Sequence, residues 1–285
     1  MTGHQDDEIL RPIAKTILTI AGGQSNLSCG IGLLLRECFD RVINTPKTRR
    51  RLIDDLQAPE KTYIGTCVEN ELRYFLQLPR GTVLDFEIDG VDVDLKFSIG
   101  DSWMIPPEAF GRPCIILSAN ESTAQFCFGL FLARPEYLTK GNRDKKCGIS
   151  KVGRHSIVWL VKDQQYPPNF WQSVPQTVAE TIVSGKGGND RVIALFREIQ
   201  DRPIARKVIE DVAMQKDPMR RSRADKTRGT RGRLAKDSIV LLCGDWKTAR
   251  EFVTALGLPL LGKGEFMSHR VVGDEITLAK ELDLI

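Results

Sequence analysis

Histidine is scarce in this 285-residue chain: His4, His155 and His269 stand far apart. That scarcity argues against a metal centre built on imidazoles. Seven cysteines occur, at positions 29, 38, 67, 114, 127, 147 and 243, and no two form a C-x-x-C pair. An odd, scattered set fits reduced thiols in a cytoplasmic compartment and argues against a disulfide framework or a zinc finger. No apolar run reaches the roughly 18 residues that a membrane-spanning helix needs, so no membrane association is expected. The opening MTGHQDDEIL lacks a basic stretch followed by an apolar one, so no secretory signal is expected. Aromatics make up only 7% of the chain, and Trp103 and Trp171 lie near prolines, which suits packing better than stacking on bases. The glycine-rich SGKGGND at 184–190 lacks the G-x-x-x-x-G-K-[ST] spacing, so ATP is not implied.

What remains is an ordinary globular composition, 41% hydrophobic and 27% charged, with a net charge of +4. At roughly 150 residues per domain, the length suggests two domains. Residues 31–43 read as an amphipathic helix broken by Thr45-Pro46, with a basic cluster at Lys47, Arg49, Arg50 and Arg51. A second helix is expected over 62–78. Strands follow at 81–98, 114–120, 123–133 and 156–162. Three prolines in 164–175 mark a linker. Beyond it come helices within 176–215, a basic stretch, a strand at SIVLLCGDW, a helix near 247–256 and a basic, hairpin-like end. The expected boundaries are 1–163 for a mixed α/β domain and 176–285 for a mainly helical one.

The most informative stretch is GTVLDFEIDGVDVDLKFS, residues 81–98. Asp89-Gly90 between two alternating runs signals a two-residue hairpin turn. Such a turn makes Ile88 face Val91, Glu87 face Asp92 and Asp85 face Asp94. One face is then wholly apolar: Leu84, Phe86, Ile88, Val91, Val93, Leu95 and Phe97. The other carries Asp85, Glu87, Asp92, Asp94 and Lys96. Like charges opposed on a hairpin cost about 0.2–1 kcal/mol per pair. A divalent cation would relieve that repulsion through carboxylate oxygens. Lys96, on the same face, could orient water or offset charge on a phosphate.

Asp85 followed by Asp94-Leu95-Lys96 has the form of the PD-(D/E)xK nuclease pattern. With GTCVENEL upstream, FSIGDSWMIPPEAFG downstream, RPIARKVIEDVAMQKDPMRR and ALGLPLLGKGEF…RVV, the chain resembles the NaeI family of restriction endonucleases from about residue 31 to 272. The resemblance implies a restriction-endonuclease-like α/β domain with a mixed central sheet. It also implies a second, winged-helix or helix-turn-helix-like domain similar to that of catabolite activator protein. Glu69, Asp85 and Asp94 fall on the family's metal-binding positions and Lys96 on its catalytic lysine. Glu71 is a nearby competitor for the Glu69 role, and the resemblance selects Glu69. The implied activity is Mg²⁺-dependent hydrolysis of double-stranded DNA by a homodimer. It would leave 5′-phosphate and 3′-hydroxyl ends, with a cleaved and an activating DNA site on each subunit.

Residues 216–236 hold nine basic residues against two acidic ones, a local excess of seven in a chain of net +4. Following the helical ARKVIEDVAMQ, they read as the basic second helix of a helix-turn-helix, with RGTRGR as an arm or wing on phosphates. The candidate DNA contacts are Arg220, Arg221, Arg223, Lys226, Arg228, Arg231 and Arg233, since arginine suits guanine edges and phosphates alike. A nicking repair endonuclease of the same fold and a non-catalytic transcriptional regulator are the alternative readings.

Overall fold

The computed structural model describes residues 3–214 and 229–285. Two compact units emerge. The first comprises Met1–Ile43 and Leu52–Asn169, the second Asn44–Arg51 and Phe170–Ile285. The division at Asn169 falls inside the segment read as a linker, and both of its ends are anchored. Tyr166 is buried in the first core, and Trp171 and Val174 are buried in the second.

The first unit begins with two long helices, α1 (Gly3–Ala21) and α2 (Gln24–Ile43). Gly22 and Gly23, with φ of 76° and 104°, separate them in a conformation that side chains resist. Helix α3 (Thr45–Thr48) belongs to the second unit. Helix α4 spans Ala58–Phe75, starting before the expected residue 62. Its signal is local: Pro59 in the first turn and a Glu60 carboxylate that accepts from the Gln57 amide at 2.9 Å.

Seven strands follow: β1 (Phe86–Ile88), β2 (Val91–Ile99), β3 (Met104–Ile105), β4 (Pro113–Asn120), β5 (Gln125–Leu132), β6 (Cys147–Gly148) and β7 (Val158–Gln165). Five form a mixed sheet in the order β1-β2-β4-β5-β7, in which only β2 and β4 run parallel. Strands β3 and β6 make a separate two-stranded ribbon. Helices α1, α2 and α4 cover one sheet face, burying Leu10, Ile31, Phe39 and Val68 against Phe86, Val93, Ile115 and Phe128. On the other face Trp103, Ile105, Tyr137 and Ile149 pack on Cys114, Ile116 and Phe131. Strand β4 lies between, buried over all but its last residue, which is why its sequence is an apolar run rather than an alternation. Each large apolar side chain so buried contributes roughly 1.5–3 kcal/mol. Helix α5 (Lys151–His155) caps this layer before β7.

In the second unit, α6 (Gln176–Val183), α7 (Gly188–Glu198) and α8 (Arg206–Ala213) surround a core containing Ile182, Phe196, Ile209 and Leu241. Strands β8 (Ile204–Ala205), β9 (Ile239–Cys243) and β10 (Glu265–Arg270) form an antiparallel sheet in the order β8-β10-β9. Buried Arg191 closes the end of α8, donating to the carbonyls of Val212 at 2.7 Å and Ala213 at 2.8 Å. The hairpin-like chain end does not form. A helix, Lys247–Leu256, separates β9 from β10, and another, Glu275–Glu281, follows β10. No single helix among the described residues is long and apolar enough to cross a membrane.

Candidate active site

The hairpin forms in the register that its turn dictates: Phe86 pairs with Val93, Glu87 with Asp92 and Ile88 with Val91. Asp89 and Gly90 both take positive φ, 53° and 76°, as a two-residue turn requires. The apolar face is buried at Phe86, Ile88, Val93 and Leu95, while Val91 at the tip stays exposed.

The ladder ends at Phe86, one residue short of Asp85. From Asp94 onward β2 pairs only with β4, on its other side. The Asp85 carboxylate takes the place of the missing strand, its Oδ2 accepting from the Leu95 amide at 2.8 Å. Asp85 is thus fixed beside Asp94 by a strand that stops early.

The acidic face is not uniform. Asp92 is satisfied from within the fold. Its two oxygens accept from the Thr82 amide at 2.7 Å and the Val83 amide at 2.9 Å, and Arg112 lies at 3.2 Å. Those backbone N–H groups, with Arg112, hold its carboxyl below the usual carboxylate range. Gly81 makes this possible, since a Cβ there would lie 2.7 Å from Asp92 Oδ1 and 2.6 Å from the Leu84 carbonyl. The like-charge opposition of Glu87 and Asp92 is thus relieved at Asp92, which amides and an arginine neutralise.

Asp94 differs. It is 4% exposed, and burial pushes its pKa up to about 6, against the pull of Lys96 and with the neighbouring Asp85 adding to the rise. Lys96 Nζ lies 2.7 Å from Asp94 Oδ2. The buried oxygen accepts no regular hydrogen bond, and the Lys96 charge and the neighbouring Asp85 carboxyl stand beside it.

Helix α4 brings Glu69 to the same place. Glu69 accepts from Arg73 Nη2 at 2.7 Å, and the same nitrogen reaches the Asp85 carbonyl at 3.3 Å. The Arg73 guanidinium also lies 5.4 Å from the centre of the Phe86 ring. Arg73 therefore ties the helix to the strand end; sequence reading missed it, and its i+4 spacing from Glu69 was the available signal. Glu71, the competitor, is paired at 2.7 Å with Arg41 of α2.

Glu69, Asp85 and Lys96 border one open cleft of about 600 Å³, lined by Lys61, Thr62, Gly65, Thr66 and Glu69 of α4, Asp85, Leu95–Ile99 of β2, Met104, Pro106 and Lys146; the buried Asp94 lies behind Lys96 and is not part of the lining. Lys61 and Lys146 were not anticipated. As the side chains stand, no three His, Cys, Asp or Glu among the described residues are gathered closely enough to enclose a metal ion. Glu69 is engaged by Arg73 and Asp94 by Lys96. The residues nonetheless fit a hard cation: two adjacent carboxylates, one of them with a buried oxygen lacking a regular hydrogen bond, form an oxygen donor set of the kind that divalent cations take.

The predicted DNA contacts are only partly described. Arg220, Arg221, Arg223, Lys226 and Arg228 lie outside the described residues, as does the second helix of the expected helix-turn-helix. Arg231 and Arg233 are described, and they correct the reading of RGTRGR as a flexible arm. Thr230–Ala235 is a helix with Thr230 and Leu234 buried. Arg231 lies 5.3 Å from the Trp246 ring centre and donates to the Asp283 carbonyl, while Arg233 pairs with Asp190 at 2.8 Å. Of the upstream basic cluster, Arg51 donates to the Trp171 and Val174 carbonyls.

A mixed sheet presenting two aspartates and a lysine at a strand edge, with a glutamate from the adjoining helix, is the layout of a metal-assisted nuclease. The family model described as Restriction endonuclease NaeI matches residues 29–279. The Type II restriction enzyme NaeI of Lentzea aerocolonigenes is 35% identical over 247 residues, covering 84% of this chain and 77% of that protein. The chain belongs to the NaeI family of restriction endonucleases, and it is a site-specific deoxyribonuclease.

Proposed function

We propose that the chain is a Mg²⁺-dependent, two-site type II endonuclease, acting as a homodimer on double-stranded DNA and leaving 5′-phosphate and 3′-hydroxyl ends. The observation that carries this reading is the juxtaposition of Asp85, Asp94 and Lys96 where β1 stops, with Glu69 on the cleft that Asp85 and Lys96 line. Asp85, Asp94 and Glu69 would hold the cation. Bound there, Mg²⁺ supplies Lewis-acid polarisation of the scissile phosphate and a more acidic water. Lys96 orients the attacking water and offsets negative charge that grows on the pentavalent phosphorus. Water attacks phosphorus in line with the departing 3′-oxygen, which leaves with a proton as the 3′-hydroxyl. Arg73 keeps Glu69 and the Asp85 backbone in register throughout.

Cutting both strands of a palindrome calls for two such sites related by a two-fold axis. The second unit, with α8 followed by the basic 216–236, is assigned to a winged-helix-like DNA contact. In that contact Arg220, Arg221, Arg223, Lys226 and Arg228 meet DNA, while Arg231 and Arg233 make contacts within the domain.

Plasmid digestion tests the reading. Cleavage is expected with Mg²⁺ and not with EDTA, and Asp94→Ala and Lys96→Ala are expected to abolish it. Unchanged cleavage by both variants would sink the site assignment. Nicked circles without linear product would point to a nicking enzyme, and binding without cleavage under any divalent cation to a regulator.

A further inference from the structure

The cleft has a second basic element beside Lys96. Residues 139–148 form a closed hairpin. The Thr139 amide donates to the Gly148 carbonyl at 2.8 Å, the Gly148 amide donates to Thr139 Oγ1 at 3.0 Å, and the Asn142 amide donates to the Lys146 carbonyl at 2.9 Å. The Asn142 side chain locks the tip, accepting from the Asp144 amide at 2.9 Å and the Lys146 amide at 3.0 Å. Lys145 completes the turn in the left-handed region, at φ 61°. The base is rooted: Leu138 bridges to Ile149, both packed in the core under the sheet, and Gly148 and Cys147 pair with Met104 and Ile105.

This hydrogen-bonded loop carries Lys140, Arg143, Lys145 and Lys146 against a single acid, Asp144, and all five are exposed. Elsewhere in the same unit five arginines are matched internally. Arg41 pairs with Glu71, Arg73 with Glu69, Arg112 with Asp92, Arg134 with Asp6 and Arg154 with Asp101. None of the four hairpin cations pairs with a carboxylate of the described residues. Lys146 lies in the lining of the cleft that holds Lys96, so the charge begins at the site and extends outward from it. A preformed backbone lets these side chains meet an anion with little ordering cost. A polyanion that passes through the cleft would run along the hairpin.

We propose that the hairpin 139–148 is a backbone clamp for duplex DNA, its four cations contacting phosphates next to the one that is cut. This extends the proposed reading of the cleft and rests on it. Phosphate contacts fix position without reading sequence.

The test is the full chain with Lys140, Arg143, Lys145 and Lys146 all changed to Ala. Plasmid cleavage with Mg²⁺ and duplex binding by fluorescence anisotropy in EDTA are followed from about 50 to 200 mM salt. The expected result is a KM and a Kd raised about tenfold or more, with the log–log salt slope shallower by about 2 or more, since each phosphate contact contributes about 0.9. A variant with the three lysines changed to Arg is expected to behave as the parent. Sequenced cleavage ends should be unchanged, because base readout is not touched. Parental KM, Kd and salt slope in the Ala variant would overturn the clamp, and so would a changed cleavage sequence. Should the parent itself not cleave, the nuclease reading falls, and the anisotropy slopes still decide whether the hairpin meets DNA. Circular dichroism of the variant, expected to be parental because all four side chains are exposed, separates lost contact from lost fold.

Discussion

Two neighbouring positions near the start of strand β2 use the same residue for opposite purposes. Asp92 lies where β1 is still paired, and three backbone amides and Arg112 hold its charge and pull its carboxyl down. Asp94, two residues on, lies where β1 has stopped, is buried, and is pushed up to about 6. Side chains two apart share a face, so the alternation alone makes these acids equivalent. What separates them is whether the neighbouring chain supplies donors. The first acid builds the loop that leads to Asp85; the second, left short of donors, keeps an oxygen for a ligand.

That contrast can be broken at several points. The largest effect is expected on cleavage. Lys96→Ala should lower kcat by about 10²–10³, the scale of losing one group that stabilises transition-state charge, with Asp94→Asn at least as damaging. Asp92→Asn should cost far less, and equal losses at 92 and 94 in plasmid assays would erase the distinction. Next in size is stability. A carboxyl whose pKa is raised on folding favours the folded state fully below its ordinary value of 3.8 and loses that advantage as pH rises through about 6. Metal-free Asp94→Asn should therefore withstand more urea than the parent at pH 8, with the gap closing below about pH 4. Mg²⁺ should raise the urea midpoint of the parent and leave that of the Asn variant unmoved, because only a cation bound to the folded state shifts it. Parallel curves for the two proteins at every pH would contradict the burial of a poorly satisfied Asp94. Smaller again, Asp92→Asn should lower the thermal midpoint by a few degrees, since the loop 81–84 loses its buckle. The smallest effect belongs to Arg233→Ala. An exposed pair is worth about 0–1 kcal/mol, so neither the midpoint nor the salt slope of DNA binding should move appreciably.

Much of the site could be read in the sequence because the hairpin is short-range. A two-residue turn fixes the register, and period-two alternation sorts the faces. The helix bearing Glu69 and the buried run of β4 were legible for the same local reasons. Three features were not. The end of β1 at Phe86 depends on where the chain before it is pinned, and the pin is Asp92. The association of Asn44–Arg51 with the second unit, through Arg51 and the Trp171 and Val174 carbonyls, spans more than a hundred residues. The hairpin 139–148 has no periodicity, and its basic residues are diluted by Asp144, so it reads as an unremarkable polar loop. Conversely, the dense charge of 228–233 pointed to an arm or wing on phosphates, yet two of its arginines contact Asp190, Trp246 and the Asp283 carbonyl. Charge density reports how many cations there are and not who holds them.

Along residues 95–99, β2 runs beside open space where β1 would otherwise continue. Such a margin normally invites a stray chain to add itself as one more strand, the first step towards aggregation. Here the margin is only five residues long, is preceded by Asp94 and carries Lys96, and has its first amide, that of Leu95, occupied by the Asp85 carboxylate. An incoming strand would have to displace that carboxylate and bury two charges. The opening that admits a substrate is thus guarded against the protein's own kind by the residues assigned to catalysis, so neutral substitutions there should increase self-association as well as abolish cutting.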